Sequence, residues 1–508
     1  MIRRRPFARW AVPPTRQGTR HRAPADADVV VCGGGIAGLA AATVLAERGV
    51  RVTVVEAEQF LGGRAGSFDD ELRDGTRFQM ERGFHGFFRQ YYNLREFLRR
   101  VDPELRFLTP LEDYPLLGPG GRQESFRDLP RRAPFNIAEL VRRSKSLRIG
   151  DLRRIAMRPA TAMLAYHEAT TYARYDHMTA GEYLDSLRFP PDARQMLFDV
   201  FSHSFFNPEE DYAASELLMN FHFYFVGNPE GLVFDVMNDP FSKVFFDPLR
   251  SYLEDRGVNF VLGERVTGLE ESGDGFRVGL SSGGLRAQAV ILGLSIPGLQ
   301  KVVDASRGLF PAAFERQVND LQTTLPFVVW RLWLDRKVRP ERSAFAGTAG
   351  LGFLDNISIY ELFEKESSRW SAETGGSVVE LHAYAVPEEA TEDEVRADLL
   401  RALHETYPET REATVLEERY LHRRDCPGFP PGSYARRPGV RTPVRGVALA
   451  GDYVRTPFPS ALMERAAATG MMAANEVGAQ WDLVPETLYS VPTQGLLSFK
   501  NEQLPGTR

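Results

Sequence analysis

Six side chains of this sequence have the chemistry to move protons or balance charge: Glu81, Arg82, His85, His203, His222 and Glu464. The first five lie in aromatic runs, Glu81-Arg82-Gly83-Phe84-His85-Gly86-Phe87-Phe88, Ser202-His203-Ser204-Phe205-Phe206 and Phe221-His222-Phe223-Tyr224-Phe225. An imidazole changes charge near neutral pH, and a carboxyl group in apolar surroundings titrates in the same range, so both suit proton transfer. Aromatic faces suit a long conjugated hydrocarbon and can stabilise a carbocation through the ring quadrupole, while any single ring among them can equally be plain core. The combination would suit acid–base chemistry beside an apolar ligand, with His85 the leading candidate base. Each residue also has a structural reading. His85 can be a hydrogen-bonded loop histidine, His203 and His222 satisfied core histidines, Glu81 a partner of Arg82, and Glu464 a first-turn helix acid.

The elements that must position these residues begin at Asp28. Asp28-Val-Val-Val-Cys32 reads as a buried parallel strand, Gly33-Gly34-Gly35-Ile36-Ala37-Gly38 as a glycine turn opening a helix over 36–48, and Val52-Thr-Val-Val-Glu56 as a second strand. In this arrangement Gly33 makes the tight turn, Gly35 admits a pyrophosphate and Gly38 lets the helix pack on the strand. The first N–H groups of the helix, at Ile36 and Ala37, and its positive dipole end face the phosphates. Glu56 is placed to accept from ribose hydroxyls, which disfavours a 2′-phosphate. Strand, turn, helix, strand and acid in this order predict dinucleotide binding.

At 508 residues the chain exceeds one core, and two or three lobes are expected. It is 43% hydrophobic and 26% charged with a net charge of −6, so nothing points to nucleic acid. Only Cys32 and Cys426 occur, far apart, which suggests neither a disulfide framework nor a metal site and fits a reducing cytoplasm. Residues 1–25 hold seven arginines and no acid, which reads as a flexible basic tail or, alternatively, as one that anionic lipid would attract. No apolar run is long enough to span a membrane.

The chain divides into a basic tail (1–27), a first nucleotide-binding segment (28–130), a helical substrate- and membrane-facing lobe (131–245), a second nucleotide-binding segment (246–300), a substrate domain (301–440), a third nucleotide-binding segment (441–480) and a C-terminal tail (481–508). Apolar spacing predicts helices over 137–146, 149–157, 180–187, 192–202 and 213–225. A helix over 246–255, strands over 259–262, 265–270, 276–280 and 286–292, and strands over 325–335 and 377–386 follow. Thr391 and Glu394 form a capping box for a helix over 392–407. Val447-Ala-Leu-Ala-Gly451-Asp452 is an apolar strand ending in Gly-Asp, with a helix over 460–477 behind it. The expected fold class is α/β: a discontinuous Rossmann-like lobe, a mixed-sheet substrate domain and a helical cap.

Gly62-Gly63-Arg64 directly after Glu56, together with Gly451-Asp452, resembles the signatures of the amine-oxidase and carotene-desaturase flavoproteins. The resemblance implies FAD as cofactor. It places Arg64 near the pyrophosphate, Val266 at the adenine end through its backbone, Asp452 on the ribityl–phosphate part, and the following helix, with Met463 in its first turn, aimed at the flavin. The segment Gly83-Phe84-His85 through Tyr91-Tyr92-Asn93-Leu94 resembles carotene desaturases. With the His203 and His222 segments and Thr456-Pro-Phe-Pro-Ser-Ala-Leu-Met-Glu464, it is most similar to isorenieratene-synthase-type β-carotene desaturase/methyltransferases. That similarity implies desaturation of a β-ionone ring with internal methyl migration to an aromatic ring, and Arg82 beside the flavin. It also implies a carotenoid substrate, peripheral (monotopic) contact of a cytoplasmic protein with the membrane surface, and quinone or oxygen as electron acceptor. The same scaffold serves desaturases or isomerases of acyclic carotenes and other terpenoids, flavin amine oxidases, and non-catalytic carotenoid- or lipid-binding flavoproteins. Cys426 is not in the context of the flavin-linking cysteine of amine oxidases.

Overall fold

The computed structural model describes residues 9–111, 113–147, 149–153 and 155–498. The ends of both tails, residues 1–8 and 499–508, therefore lie outside the described residues. A five-stranded parallel sheet forms the first lobe, in the order Asn259–Leu262, Arg51–Glu56, Asp28–Cys32, Ala289–Leu292, Val447–Leu449. Its central strands are near-continuous apolar runs because helices or loops cover both faces. The strands come from distant parts of the chain, so the lobe is discontinuous, as expected.

Helix Ile36–Glu47 packs on this sheet and against helix Leu462–Gly478. The approach of the two helices is close: a Cβ on Gly470 would stand 2.1 Å from the Ala37 carbonyl oxygen. The sequence reads 286–292 as one strand, but the chain breaks it at Gln288. Gly283–Ala287 closes an antiparallel three-stranded sheet with Val266–Ser272 and Gly275–Leu280, while Ala289–Leu292 enters the parallel sheet. An unbroken apolar pattern cannot reveal that two sheets share it.

A second sheet has seven strands, in the order Val415–Arg423, Phe327–Leu334, Ser377–Ala383, Asn356–Ile359, Phe345–Thr348, Leu116–Gly118, Arg122–Glu124. The last two fall within the 28–130 stretch by number but pair at the edge of this sheet. Helix Glu392–Thr406 covers it and carries both halves of the Thr391–Glu394 capping box.

The third layer is helical. Helix Ala180–Leu187 has the expected bounds. Residues 149–157 do not form one helix: a 3₁₀ turn, Ile149–Arg153, precedes a separate helix, Met157–Leu164. Helix Glu168–Tyr175 was not anticipated, because its residues are largely polar. The segment 213–225 is helix Ala214–Phe221 continued by a π turn, His222–Val226. Such π turns often mark functional positions. No helix among the described residues is long and apolar enough to cross a membrane.

Candidate active site

Two glycine turns meet back to back at the carboxyl ends of the parallel strands. Gly62 N–H donates to the Gly34 carbonyl at 2.8 Å, and Gly33 N–H to the Val55 carbonyl at 2.7 Å. Gly33 has φ +109°, a conformation that L side chains rarely adopt. Gly35 is the N-cap of helix Ile36–Glu47, so the free N–H groups of Ile36, Ala37 and Gly38 point out of that end. A Cβ on Gly35 would approach no atom nearer than the Gly63 Cα, at 4.0 Å, which leaves room there for a phosphate. Glu56 closes the second strand. Its Oε2 accepts from Gly34 N–H at 2.7 Å and its Oε1 from Glu58 N–H at 2.9 Å, and each oxygen keeps a lone pair for a ribose hydroxyl. Val266 lies alongside, since Glu264 N–H donates to the Glu56 carbonyl at 3.0 Å.

The first and third nucleotide-binding segments meet at Arg64, whose Nη2 donates to Asp452 Oδ1 at 2.6 Å. Gly451 N–H is held by Thr469 Oγ1 at 3.0 Å, which fixes the Gly-Asp turn against helix Leu462–Gly478. Met463 lies in the first turn of that helix. These residues form a cradle with free N–H donors at one end, a carboxylate at the other and an arginine between, as a dinucleotide requires.

Glu81 and His85 open on one small pocket that they share with Phe84, Met237, Phe241 and Tyr360. Glu81 Oε1 accepts from Phe241 N–H at 2.9 Å. Burial pushes its carboxyl up to about 8, and burial lowers the His85 imidazole to about 4. Both groups are therefore neutral at pH 7, with Glu81 able to give a proton and His85 able to take one. Arg82 pairs with Asp425 at 3.0 Å. The Glu81 shift has a consequence for stability. Its folded pKa lies above the unfolded 4.5, so its contribution is full below about 4.5 and is lost as pH rises toward about 8. Urea midpoints over this range should show wild type losing up to about 1.4 kcal/mol per pH unit relative to Glu81→Gln; parallel curves would contradict the burial argument.

The other candidates have partners of their own. His222 is fully buried, stacked on Tyr166 at 4.6 Å, and its Nε2 donates to the Pro492 carbonyl at 2.7 Å. Glu464 is not a first-turn acid serving its own helix. Its oxygens accept from Asn93 N–H, Asn93 Nδ2 and Leu94 N–H, so it caps the neighbouring helix Tyr92–Leu98. Glu464→Ala should cost about 1–3 kcal/mol in urea unfolding by stranding those donors, with activity per bound cofactor unchanged; lost turnover in a fully loaded variant would restore it as a base. His203 sits apart from His85, its Nδ1 on Asp355 at 2.7 Å.

A group that the sequence reading missed lies beneath the 83–85 turn. Glu380, His382 and Tyr384 alternate along and just past strand Ser377–Ala383, and Arg331 faces them from strand Phe327–Leu334. Glu380 Oε1 meets His382 Nε2 at 2.7 Å, and Oε2 accepts from Arg331 Nε at 2.8 Å. The signal was available: charged residues at every second position of an otherwise apolar strand.

Aromatic rings run outward from the pocket in unbroken contact. Phe84 touches Phe234 at 5.8 Å between centroids, Phe234 touches Phe88 at 5.1 Å, and Phe88 touches Tyr224 at 4.8 Å. Phe201 and Phe225 continue the series at 6.2 and 5.2 Å. The Phe225 carbonyl accepts from Asn136 Nδ2 at 2.7 Å, which brings the start of helix Phe135–Arg143 to the far end.

The chain has been compared with known proteins. It is 46% identical to a carotenoid phi-ring synthase of Streptomyces griseus over 96% of this chain and 94% of that one. A carotenoid phi-ring synthase of Chlorobaculum tepidum is 29% identical over 92% and 91%. Among solved structures, the cyclohexylamine oxidase of Brevibacterium oxydans shares the fold, with a TM-score of 0.64 at 16% identity over 90% of this chain and 99% of that one. The model of the family described as flavin containing amine oxidoreductase matches residues 36–478, from the first residue of the cradle helix to the last residue of helix Leu462–Gly478. A match over most of the chain, from the cradle helix through Gly451-Asp452 and the helix behind them, shows that the protein belongs to this flavin-containing oxidoreductase family, and the dinucleotide that its cradle takes is FAD.

Proposed function

We propose that the protein is a carotenoid ring desaturase that converts a β-ionone ring of β-carotene-type substrates into an aromatic ring, the methyl group migrating within the ring. The observation that carries this reading is the contiguous aromatic cluster from Phe84 to Phe225 leading away from the pocket, because a hydrocarbon chain beside such rings meets apolar surface and needs no hydrogen bond. The two relatives named as carotenoid phi-ring synthases support it.

In this reading Gly33, Gly35, Ile36, Ala37 and Gly38 hold the pyrophosphate, Glu56 the adenosine ribose and Val266 the adenine end. Gly62, Gly63, Arg64, Gly451, Asp452 and Met463 line the flavin half. FAD, when bound, supplies the acceptor for the hydrogen that leaves a ring carbon with its electron pair. The protein holds the ring in a dry aromatic pocket, where Phe84 and Phe241 stabilise positive charge on it while the methyl group shifts. A quinone or oxygen then accepts the electrons. The test is the pigment profile of a β-carotene-producing host expressing this chain. Products of unchanged carbon number with fewer hydrogens and aromatic methyl signals support the proposal; unchanged β-carotene beside soluble, FAD-loaded protein overturns it in favour of acyclic carotenes or other terpenoids.

Substrate of this kind resides in lipid, and the helical lobe suits peripheral contact with a cytoplasmic membrane face. Phe135 and Met157 are 68% and 66% exposed, among exposed Arg131, Arg132, Arg142 and Arg158. Apolar tips ringed by arginine fit an anionic interface. A Phe135→Ser/Met157→Ser double variant should pellet with anionic liposomes at least about tenfold less well, since each buried apolar side chain contributes roughly 1.5–3 kcal/mol. Equal pelleting of variant and wild type would remove this face from the account.

A further inference from the structure

The buried group on strand Ser377–Ala383 is arranged as a relay. Glu380 is held ionised: burial alone would raise its carboxyl, but Arg331 and His382 outweigh burial and bring it down to about 2. A carboxylate can only accept, so His382 Nε2 carries the proton it gives to Glu380, with Phe84 N–H standing farther off at 3.4 Å from the same nitrogen, and in the neutral ring Nδ1 presents a lone pair. The Tyr384 hydroxyl meets that lone pair at 2.7 Å. Asn356 Nδ2 donates to the same hydroxyl at 2.9 Å, which leaves the Tyr384 proton directed at His382. Glu380 and His382 are 0% and 1% exposed, whereas the Tyr384 side chain is only half-buried. The order is therefore carboxylate, imidazole, hydroxyl, with only the last reaching out of the core.

Its position suits the reaction. A Cβ on Gly83 would stand 2.8 Å from the His382 ring, so the relay lies directly under the turn that carries Phe84 and His85. Tyr384 packs with Phe206 on a cluster that includes Cys426, next to Asp425, the partner of Arg82. Asp355 accepts from the Tyr384 N–H at 2.6 Å while it holds His203 Nδ1 at 2.7 Å. Two residues here have the left-handed backbone that side chains avoid: Ala385 at φ +52° and Phe206 at φ +60°. Strain of this kind persists where the surrounding structure enforces a particular side-chain position.

We infer that Tyr384, His382 and Glu380 form the acid–base relay of the proposed ring desaturation, with Tyr384 as the group that meets the substrate. The inference rests on the functional reading above. In the step assigned to it, a C–H bond beside the cationic ring carbon breaks and its electron pair becomes the new C=C bond. The proton passes to Tyr384 Oη as the Tyr384 proton passes to His382 Nδ1, and Glu380 stabilises the imidazolium. Each desaturation thus gives one proton to the relay and one hydride equivalent to FAD. No phenolate forms, in keeping with burial raising the Tyr384 pKa.

The test uses FAD-loaded protein in liposomes and follows anaerobic bleaching of the flavin by β-carotene against pH. Tyr384→Phe keeps the ring and its packing and should slow bleaching about 10²-fold with KM unchanged. His382→Gln should slow it comparably, with FAD still bound and KM unchanged. A Tyr384→Phe protein with bound FAD, a rate within about twofold of wild type and the wild-type pH profile would overturn the relay. If β-carotene fails but another polyene bleaches wild type, the ring assignment is lost and the same variants test the relay with that polyene. Failure of every polyene overturns both.

Discussion

Gly38→Ala yields a folded protein without FAD. The added Cβ would stand 1.9 Å from the Gly33 carbonyl oxygen and 3.2 Å from Val31 Cγ1. That oxygen is backbone in a turn already held at φ +109°, so it cannot rotate away as a flexible side chain would. The helix must lift from strand Asp28–Cys32, and the N–H groups of Ile36 and Ala37 leave the place where a pyrophosphate sits. Forced overpacking of this kind costs about 1–3 kcal/mol. Much of it falls on the cofactor-binding geometry, because the helix end is what moves. Bound flavin per protein should fall more than about tenfold, measured by absorbance after purification, with far-ultraviolet circular dichroism unchanged. Full flavin occupancy in Gly38→Ala would mean that the glycine is an ordinary turn residue.

Arg331→Met should be the most destabilising single change in the substrate domain. Arg331 and Glu380 have side chains 3% and 0% exposed, and each is the other's principal charge partner. Removing one leaves a buried carboxylate with only His382 and the Tyr360 hydroxyl, which donates to Glu380 Oε1 at 3.0 Å. Breaking such a pair costs about 3–5 kcal/mol. The double variant Arg331→Met/Glu380→Gln should recover most of that loss, since a neutral amide can be satisfied by the remaining neighbours. Urea titrations of the two variants give the comparison. A single variant as stable as wild type would show that water reaches this pair.

The cofactor lobe was legible because its signals are local. Gly33 through Glu56 is one continuous stretch, and glycines there are demanded by the backbone, independent of what packs around them. The substrate side was not legible for the opposite reason. Glu380 and His382 look like exposed polar residues of an alternating strand, and only the pairing of Ser377–Ala383 with Phe327–Leu334 on one side and Asn356–Ile359 on the other buries them. The surroundings of His222 were equally hidden: Tyr166, which stacks on its ring, and the Pro492 carbonyl, which accepts from its Nε2, are both distant in sequence. Glu464 was placed on the correct helix, but its partners at Asn93 and Leu94 come from another. The aromatic runs were read correctly as clusters, whereas their order in space depends on the π turn His222–Val226, which residue type does not announce.

The most direct measurement is an anaerobic reaction of purified, FAD-loaded protein with β-carotene in liposomes lacking any external methyl donor, the products identified by mass spectrometry and NMR. The account predicts bleaching of the flavin by β-carotene and a product of the same carbon number, four hydrogens lighter for each converted ring, with aromatic methyl signals. Bleaching by an acyclic carotene with none by β-carotene would contradict it.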